Sequence, residues 1–306
     1  MPEPTEPGRH YLPGLDGIRA LAVLAVILYH LGFGWASGGM LGVGVFFTLS
    51  GYLITDLLLN RWRRHADLGL RTFWLRRARR LLPALFVMLA VVSVLVAVFD
   101  SGALGAFRRQ ALSAALYFAN WSTIAQHGSY FARFAQPLPL DHLWSLSIEE
   151  QFYLLWPLAL LAGIWVLRGR RSLALCTLAL AAGSLVLMGS LYHPGYDPTR
   201  VYEGTDTRAF GLLIGAALAM LWPSRRPAGA HGVRVRRTLD AAGVAGLAGI
   251  ALLVWRTGPL SSFLYPIGFL LLSLGSVAVI AAAVNPGSRL GAALGWAPLR
   301  WVGVRS

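Results

Sequence analysis

The sequence has no lysine and only one cysteine, Cys176, among its 306 residues. A single thiol excludes an internal disulfide bond and any metal site built from several cysteines. Charged residues are also scarce, at 13% of the chain, whereas a soluble domain carries about twice that share. Apolar residues make up 56% of the chain. This composition predicts an all-α protein, folded as a polytopic bundle of membrane helices.

Several motifs of well-known enzymes are missing as well. The chain has no P-loop, no Gly-rich dinucleotide-binding turn, no G-x-S-x-G elbow and no H-E-x-x-H zinc motif. Their absence argues against ATP-driven pumps and metal hydrolases of the familiar kinds. We therefore predict no metal site and no permanently bound cofactor.

The distribution of arginine indicates how the chain is oriented. The net charge of +14 arises from 27 arginines and 13 acidic residues, and eight of the arginines lie between residues 61 and 80. Most arginines occupy short segments between apolar runs, as the positive-inside rule requires of cytoplasmic loops. The N-terminus is then predicted to be cytoplasmic. No basic stripe is interleaved with aromatic residues, so a nucleic acid is not predicted as a partner.

Apolar runs of about 20 residues, the length that crosses a bilayer, recur along the chain. Placing the arginine-rich loops inside predicts about eight spans, and it leaves residues 103–123 as a re-entrant or interfacial helix. A disordered tail is predicted at residues 1–14 and a single membrane domain at residues 15–306. The spans are predicted at Leu15–Phe33, Met40–Leu59, Leu81–Phe99, Leu143–Leu167, Ser172–Leu191, Thr207–Trp222, Leu239–Trp255 and Phe263–Val284.

The first predicted span holds two ionisable residues, Arg19 and His30. Eleven residues of helix separate them by about 16 Å and place them on roughly the same face. Ionisable groups within a span are costly and indicate a functional site. From the sequence alone, Arg19 could instead be an anchor that reaches toward the membrane surface. His30 could likewise be a structural, hydrogen-bonded imidazole.

A second polar group lies in the stretch DHLWSLSIEEQFYLLWP, residues 141–157, which contains Ser145, Glu149 and Glu150. Adjacent carboxylates in an apolar span predict function, although one of them could pair with an arginine to fix the bundle. Arg208, in a later span, could pair with these glutamates or hold an anionic or sugar group. The run LRRARR, residues 75–80, could be an orientation signal or a grip on phosphate.

Taken in order, these stretches resemble the acyltransferase-3 family of integral membrane acyltransferases. The matching pieces include LPGLDGIRALAVLAVILYH with its Arg-x10-His spacing, GVGVFFTLSGYLIT, FWLRRARRLLPAL, HLWSLSIEEQFYLLWP and TDTRAFGLLIGAALA. The resemblance implies transfer of an acyl group, usually acetyl, from cytoplasmic acetyl-CoA to a hydroxyl group of an extracytoplasmic acceptor. The implied acceptors are mostly sugars of cell-surface polysaccharides, and the implied location is the inner (plasma) membrane of a bacterium.

The resemblance also implies roles for individual residues. His30 is then the catalytic histidine, as base or nucleophile, with Glu149 and Glu150 beside it. Substrate or acyl-CoA binding falls to Arg19, Arg76, Arg79, Ser145 and Arg208. Family members continue past a WVGVRS-like segment into further spans, so we expect this domain to be C-terminally incomplete. The competing hypothesis is a carrier or flippase for a glycan or lipid intermediate, without acyl chemistry.

Overall fold

The structure is a computed structural model, which describes residues 11–126, 128–129, 131, 139–167, 169–225 and 232–306. The chain divides into two compact units. Unit 1 comprises Met1–Asp56 and Ile214–Ser306, and unit 2 comprises Leu57–Leu213.

The described residues are helical nearly throughout, which confirms the predicted all-α class. They form thirteen α-helices, with short 3₁₀ turns and loops between them. The helices are α1 Pro13–His30, α2 Gly42–His65, α3 Leu70–Phe99, α4 Leu104–Ala115, α5 Ala119–Ala125, α6 Leu143–Val166, α7 Arg170–Leu191, α8 Thr199–Glu203, α9 Thr205–Leu221, α10 Val233–Arg256, α11 Ile267–Ala283, α12 Arg289–Leu294 and α13 Ala297–Arg305.

The predicted spans each coincide with one helix, at somewhat different bounds. Five candidate spans in the described part of the chain are long and apolar enough to cross a membrane, and they contain α1, α2, α3, α7 and α10. The other three predicted spans are not in this group. The helices α9 and α11 are shorter, with 17 residues each, and α6 contains the polar cluster with its two glutamates. The predicted tail, residues 1–14, lies mostly outside the described residues, and α1 begins at Pro13.

The helix α3 starts well before its predicted span. It begins at Leu70 rather than Leu81, directly after Gly69, which has a left-handed φ of 58°. The arginines at 71–80 therefore belong to the helix instead of to a loop. Arginine is a good helix former, and the positive-inside rule gives only the side of the membrane, not the backbone conformation.

Unit 1 is organised around α1, which contacts α11, α12, α13 and the turn Gly39–Leu41 before α2. Glycines allow the backbones to approach closely. A Cβ atom at Gly17 would lie 2.0 Å from the carbonyl oxygen of Leu294, and one at Gly303 would lie 1.8 Å from that of Asp16. Such small residues are the usual means of close helix packing in membranes.

Two aspartates fix helix ends within unit 1. Asp240 of α10 accepts hydrogen bonds from the hydroxyl of Ser288 and the backbone nitrogen of Arg289, where α12 begins. Asp56 of α2 accepts a hydrogen bond from the backbone nitrogen of Ser224 at 3.1 Å, just after α9. Both carboxylates therefore satisfy main-chain donors at helix ends.

Unit 2 has its apolar core where α3, α4, α5 and α6 meet. The buried cluster comprises Leu85, Leu89, Val96, Phe107, Ala114, Ala119, Leu140 and Leu143. The predicted single helix at 103–123 is two helices, α4 and α5, with a break at Leu116–Phe118 where Tyr117 has a φ of 54°. Neither helix is long enough to cross a hydrocarbon layer of about 30 Å.

Candidate active site

A tyrosine just before α1 is hydrogen-bonded to an aspartate in the first turn of that helix. The hydroxyl of Tyr11 donates to Asp16 Oδ2 at 2.6 Å. Burial, helped by the hydrogen bond to Asp16 and by the charge of that carboxylate, raises the pKa of Tyr11 to about 12. A tyrosine is protonated near neutral pH even at its ordinary pKa, so the phenol can donate to Asp16, one helical turn before Arg19.

Arg19 is half-buried on α1. Its Nη2 donates to the backbone carbonyl oxygen of Ser306 at 2.7 Å. Its Nε is buried and has no hydrogen-bond partner within the described residues. One side of the guanidinium is thus held by the main chain, while a buried donor remains on the other. The role of Arg19 in binding acyl-CoA stays a prediction.

His30 is the last residue of α1 and is exposed within unit 1. Its Nδ1 lies 2.8 Å from the carbonyl oxygen of Val26, one turn earlier in the same helix. A carbonyl oxygen only accepts, so Nδ1 carries the proton of this hydrogen bond. The neutral ring then has its basic lone pair on Nε2. The edge of the imidazole also meets the Tyr29 ring, with centroids 5.2 Å apart.

In unit 2, the predicted pair of glutamates adjoins an arginine. Nη2 of Arg77 lies 3.8 Å from Oε1 of Glu150, and both side chains are largely buried. That oxygen of Glu150 accepts no hydrogen bond among the described residues. The contact is therefore an ion pair by distance, without a hydrogen bond. It matches the alternative in which an arginine pairs with one of the glutamates, although Arg77 was not singled out for this role.

Aromatic rings complete the surroundings of Arg77. Its guanidinium carbon lies 3.5 Å from the ring centroid of Tyr153 and 5.8 Å from that of Phe73, as expected for cation–π contacts. The hydroxyl of Tyr153 points to Oε2 of Glu149 at 3.4 Å. Trp74 Nε1 donates to the Tyr153 carbonyl oxygen at 3.0 Å. Together these contacts connect α3 with α6 around the carboxylates.

The other predicted residues of this region are more exposed. Arg76 and Arg79 lie on the exposed side of α3. Ser145 is half-buried, and its hydroxyl donates to the carbonyl oxygen of His142 at 3.3 Å. Their assignment to substrate binding stays a prediction. Arg77 could not be preferred from the sequence, because its neighbouring arginines in LRRARR have the same chemistry.

A polar network also joins α6 to α5 and α9. Gln151 Nε2 donates to the carbonyl oxygen of Tyr117 at 2.8 Å and to Asn120 Oδ1 at 3.0 Å. The hydroxyl of Thr205 donates to Gln151 Oε1 at 2.5 Å, and Asn120 Nδ2 donates to Thr205 at 2.9 Å. Sequence reasoning gave these residues no role, because Asn120 and Thr205 stand far from residue 151 in the chain.

Arg208 is almost completely buried, with 1% of its surface exposed. Its guanidinium carbon lies 5.2 Å from the ring centroid of Tyr202. The nearby carboxylate of Asp206 is held by Arg200 instead, through two bonds of 2.9 and 2.6 Å. The burial fits the costly placement of an arginine within a span. Whether Arg208 binds substrate stays a prediction.

The predicted residues thus form groups in separate units. In unit 1, Arg19 and His30 occupy the same helix, and each bonds to a backbone carbonyl. In unit 2, Glu149 and Glu150 gather around Arg77 and Tyr153. The long apolar helices that carry these ionisable groups are compatible with a polytopic membrane bundle.

Comparison with known proteins identifies the family. The family model described as "Acyltransferase domain" matches residues 12–306. The chain belongs to this acyltransferase-3 family, as its motifs predicted. No solved structure matches it.

Three relatives illustrate the similarity. YrhL of Bacillus subtilis is 47% identical over 297 residues, which are 97% of this chain and 47% of the relative. The peptidoglycan O-acetyltransferase OatA of Listeria monocytogenes is 44% identical over 100% of this chain and 49% of the relative. The O-acetyltransferase OatA of Staphylococcus aureus is 40% identical over 97% and 49%. The chain therefore spans about half the length of the curated relatives it matches.

Proposed function

We propose that this protein is a membrane O-acyltransferase that moves an acetyl group from cytoplasmic acetyl-CoA to a hydroxyl group of an extracytoplasmic glycan. Family membership supports the acyl transfer, and the relative named for peptidoglycan O-acetylation supports peptidoglycan as the acceptor. The structural observation that carries the proposal is the hydrogen bond from His30 Nδ1 to Val26, which leaves the basic lone pair on Nε2.

Nε2 of His30 can act in two ways. As a general base, it takes the proton of the acceptor hydroxyl while the hydroxyl oxygen attacks the thioester carbonyl and the thiolate of CoA leaves. As a nucleophile, it forms an acyl-imidazole, which the acceptor hydroxyl then attacks. Either route forms one ester bond and breaks one thioester bond. Positioned proton transfer of this kind accelerates reactions by about 10²–10⁴-fold.

The other predicted residues have matching roles in this proposal. Arg19, Arg76 and Arg79 bind the phosphates of acyl-CoA, because guanidinium groups form strong charge-assisted bonds to phosphate. Glu149 and Glu150 act as catalytic carboxylates, and Ser145 and Arg208 bind substrate. The arginine distribution supports a multi-pass protein of the plasma membrane with a cytoplasmic N-terminus, so that acetyl-CoA is on the side where it is made.

The carrier or flippase hypothesis shares the membrane spans and the buried charges, but it includes no transfer of an acetyl group. Washed membranes that contain the protein are incubated with acetyl-labelled acetyl-CoA and peptidoglycan fragments. The proposal predicts label in the fragments as an alkali-labile ester, above the level of membranes without the protein. Equal label in both preparations, at matched total membrane protein and with the chain verified in the membranes, would overturn it.

A further inference from the structure

The helix α4 in unit 2 has one side in the protein core and the other side exposed. Phe107 and Ala114 lie in the apolar core cluster of the unit. On the other side, Arg108 and Arg109 are exposed, and so is Leu112, with 63% of its surface accessible. Leu112 follows the two arginines by four and three positions, so the three side chains are neighbours on the helix surface. The exposed side of α4 thus combines cationic and apolar groups.

The apolar part of this exposed side continues along the helix. Positions four residues apart lie on one face, and one such row is Leu104, Arg108, Leu112 and Leu116. Leu104 is 40% exposed, and Leu116, directly after the helix, is 69% exposed. Large apolar side chains exposed in a row favour contact with an apolar phase, because their exposure to water is unfavourable. These four residues and Arg109 are called the outer face of α4 below.

The neighbouring helix α3 indicates where α4 lies in the membrane. Its exposed apolar residues include Phe86, Val87, Val91, Val94, Leu95, Val98 and Phe99, and a spanning helix exposes such side chains to lipid. From Arg80 to Phe99 the helix rises by about 29 Å, close to the hydrocarbon thickness of about 30 Å. The helix α4 follows soon after Phe99 and contacts α3. It therefore lies at the membrane surface opposite the arginines of α3.

The two arginines of the outer face lack a counter-charge from the described part of the chain. Neither Arg108 nor Arg109 takes part in an ion pair, a hydrogen bond or a ring contact among the described residues. The positive-inside rule predicts α4 on the outer side of the membrane, where arginines are scarce, so it does not account for these two. Adjacent exposed guanidinium groups without an acidic partner favour an anionic ligand from outside the chain.

Anionic phospholipid is the ligand that fits both parts of the outer face. Helices with arginines beside leucines lie in the plane of the membrane surface, with the leucines among the acyl chains and the arginines at the headgroups. With 12 residues, α4 is about 18 Å long, so it lies in this surface without crossing the bilayer. A soluble anion would pair with the arginines but leave the leucines exposed.

We propose that α4 lies in the outer surface of the plasma membrane, where Arg108 and Arg109 bind the phosphate groups of anionic phospholipids. Leu104, Leu112 and Leu116 then lie among the acyl chains next to these headgroups. The inference goes beyond acetyl transfer and does not depend on it. It assigns a lipid-binding site to a part of unit 2 that has no role in the proposed reaction.

The test uses a fluorescent label on the outer face of the full chain in lipid nanodiscs. Cys176 is the only cysteine, so Cys176→Ser with Leu116→Cys leaves one thiol, at an exposed position, which is labelled with bimane. Quenching is titrated with nitroxide-labelled phosphatidylglycerol and, separately, with nitroxide-labelled phosphatidylcholine. The proposal predicts that both lipids quench the label, and that phosphatidylglycerol does so at a lower mole fraction. Raising the salt from 0.1 M to 1 M should reduce this preference, because the screening length falls to about 3 Å.

Arg108→Gln with Arg109→Gln in the labelled chain removes both charges from the outer face. The apparent affinity of the labelled site for phosphatidylglycerol is expected to fall by about fivefold for each arginine, the factor that corresponds to the usual gain per arginine near an anionic membrane surface. Quenching by phosphatidylcholine should stay the same, because the leucines remain. Both arginines are exposed, so we expect the unfolding stability to stay close to that of the labelled chain.

Arg63→Gln with Arg64→Gln is the matched control. These two arginines are also adjacent and exposed in unit 2, but they lie at the end of α2, near the start of α3 and away from α4. The control removes the same charge and should leave the phosphatidylglycerol preference at position 116 unchanged.

Three results would overturn the proposal. The first is a label that neither lipid quenches, and the second is equal quenching by the two lipids in the labelled chain. The third is a phosphatidylglycerol preference that the α4 variant and the control variant keep alike. Soluble poly(glycerol phosphate) is added as a competitor. If it binds through Arg108 and Arg109 while lipids do not quench the label, the arginines bind a soluble polymer and the lipid site is wrong.

Discussion

The helices that carry the polar residues, α1 in unit 1 and α6 in unit 2, are held in place by different means. In unit 1, α1 is fixed by close backbone contacts at glycines, and the bonds of Arg19 and His30 described above run to backbone carbonyls. In unit 2, α6 is fixed by side chains that bond to one another, with Gln151 at the centre. Helices in a membrane associate by both routes. The packing of α1 therefore depends on glycines, which have no side chain to keep the backbones apart. The packing of α6 depends on hydrogen bonds made by its side chains.

The largest effect on stability is expected from adding a single methyl group to α1. Gly17→Ala places a Cβ atom 2.0 Å from the Leu294 carbonyl oxygen, so α1 and the C-terminal end of α12 must move apart. We expect the free energy of unfolding to fall by about 3 kcal/mol, the upper part of the range for overpacking. Reversible unfolding in mixed micelles measures this change.

Gly249→Ala is the matched control for Gly17→Ala. Gly249 is exposed on α10, and a Cβ atom there would meet nothing within 4 Å. Replacing a helical glycine with alanine at such a position should raise stability by up to about 1 kcal/mol. Equal stability of the two variants would mean that close glycine packing does not hold α1.

A smaller effect is expected when the polar network of unit 2 loses its central residue. Gln151→Leu removes bonds to Tyr117, Asn120 and Thr205, and Asn120 is fully buried. We expect a loss of about 1–2 kcal/mol in the free energy of unfolding, because a buried partner is left unsatisfied. The same unfolding measurement detects it.

Gln126→Leu makes the same chemical change at an exposed position, where Gln126 bonds, within the described residues, only to Ser122 of its own helix. Its stability should stay within about 0.5 kcal/mol of the unaltered protein. If Gln151→Leu were as stable as Gln126→Leu, the contrast between the two units would be lost, because side-chain bonds would not hold α6.

The sequence predicted the membrane helices well, because runs of apolar residues are a local signal. It did not show that α3 begins at Leu70. The clustered arginines before residue 81 were interpreted as a loop, although arginine favours helix. It also did not show the break at Tyr117, because this residue has a positive φ although it is not a glycine. Both features depend on backbone conformation that charge and hydropathy do not encode.

Within the candidate site, contacts between distant parts of the chain were harder to predict than the ionisable residues themselves. The choice of Arg77 over its neighbours as partner of Glu150 depends on which face of α3 meets α6. Sequence spacing gives a helical face, but it does not say which other helix packs there. The ionisable residues themselves were predicted because they stand out in apolar spans, whereas Asn120 lies in a segment of mixed polarity.

The central claim, that Nε2 of His30 carries the chemistry, is tested most directly by His30→Asn. The asparagine amide can still donate to the Val26 carbonyl oxygen in place of Nδ1, but it has no basic nitrogen. The initial rate of acetyl transfer by the purified protein is compared with that of the unaltered chain, at equal unfolding stability. The account predicts a loss of about 10²-fold or more. A stable His30→Asn variant that transfers acetyl at the unaltered rate would contradict it.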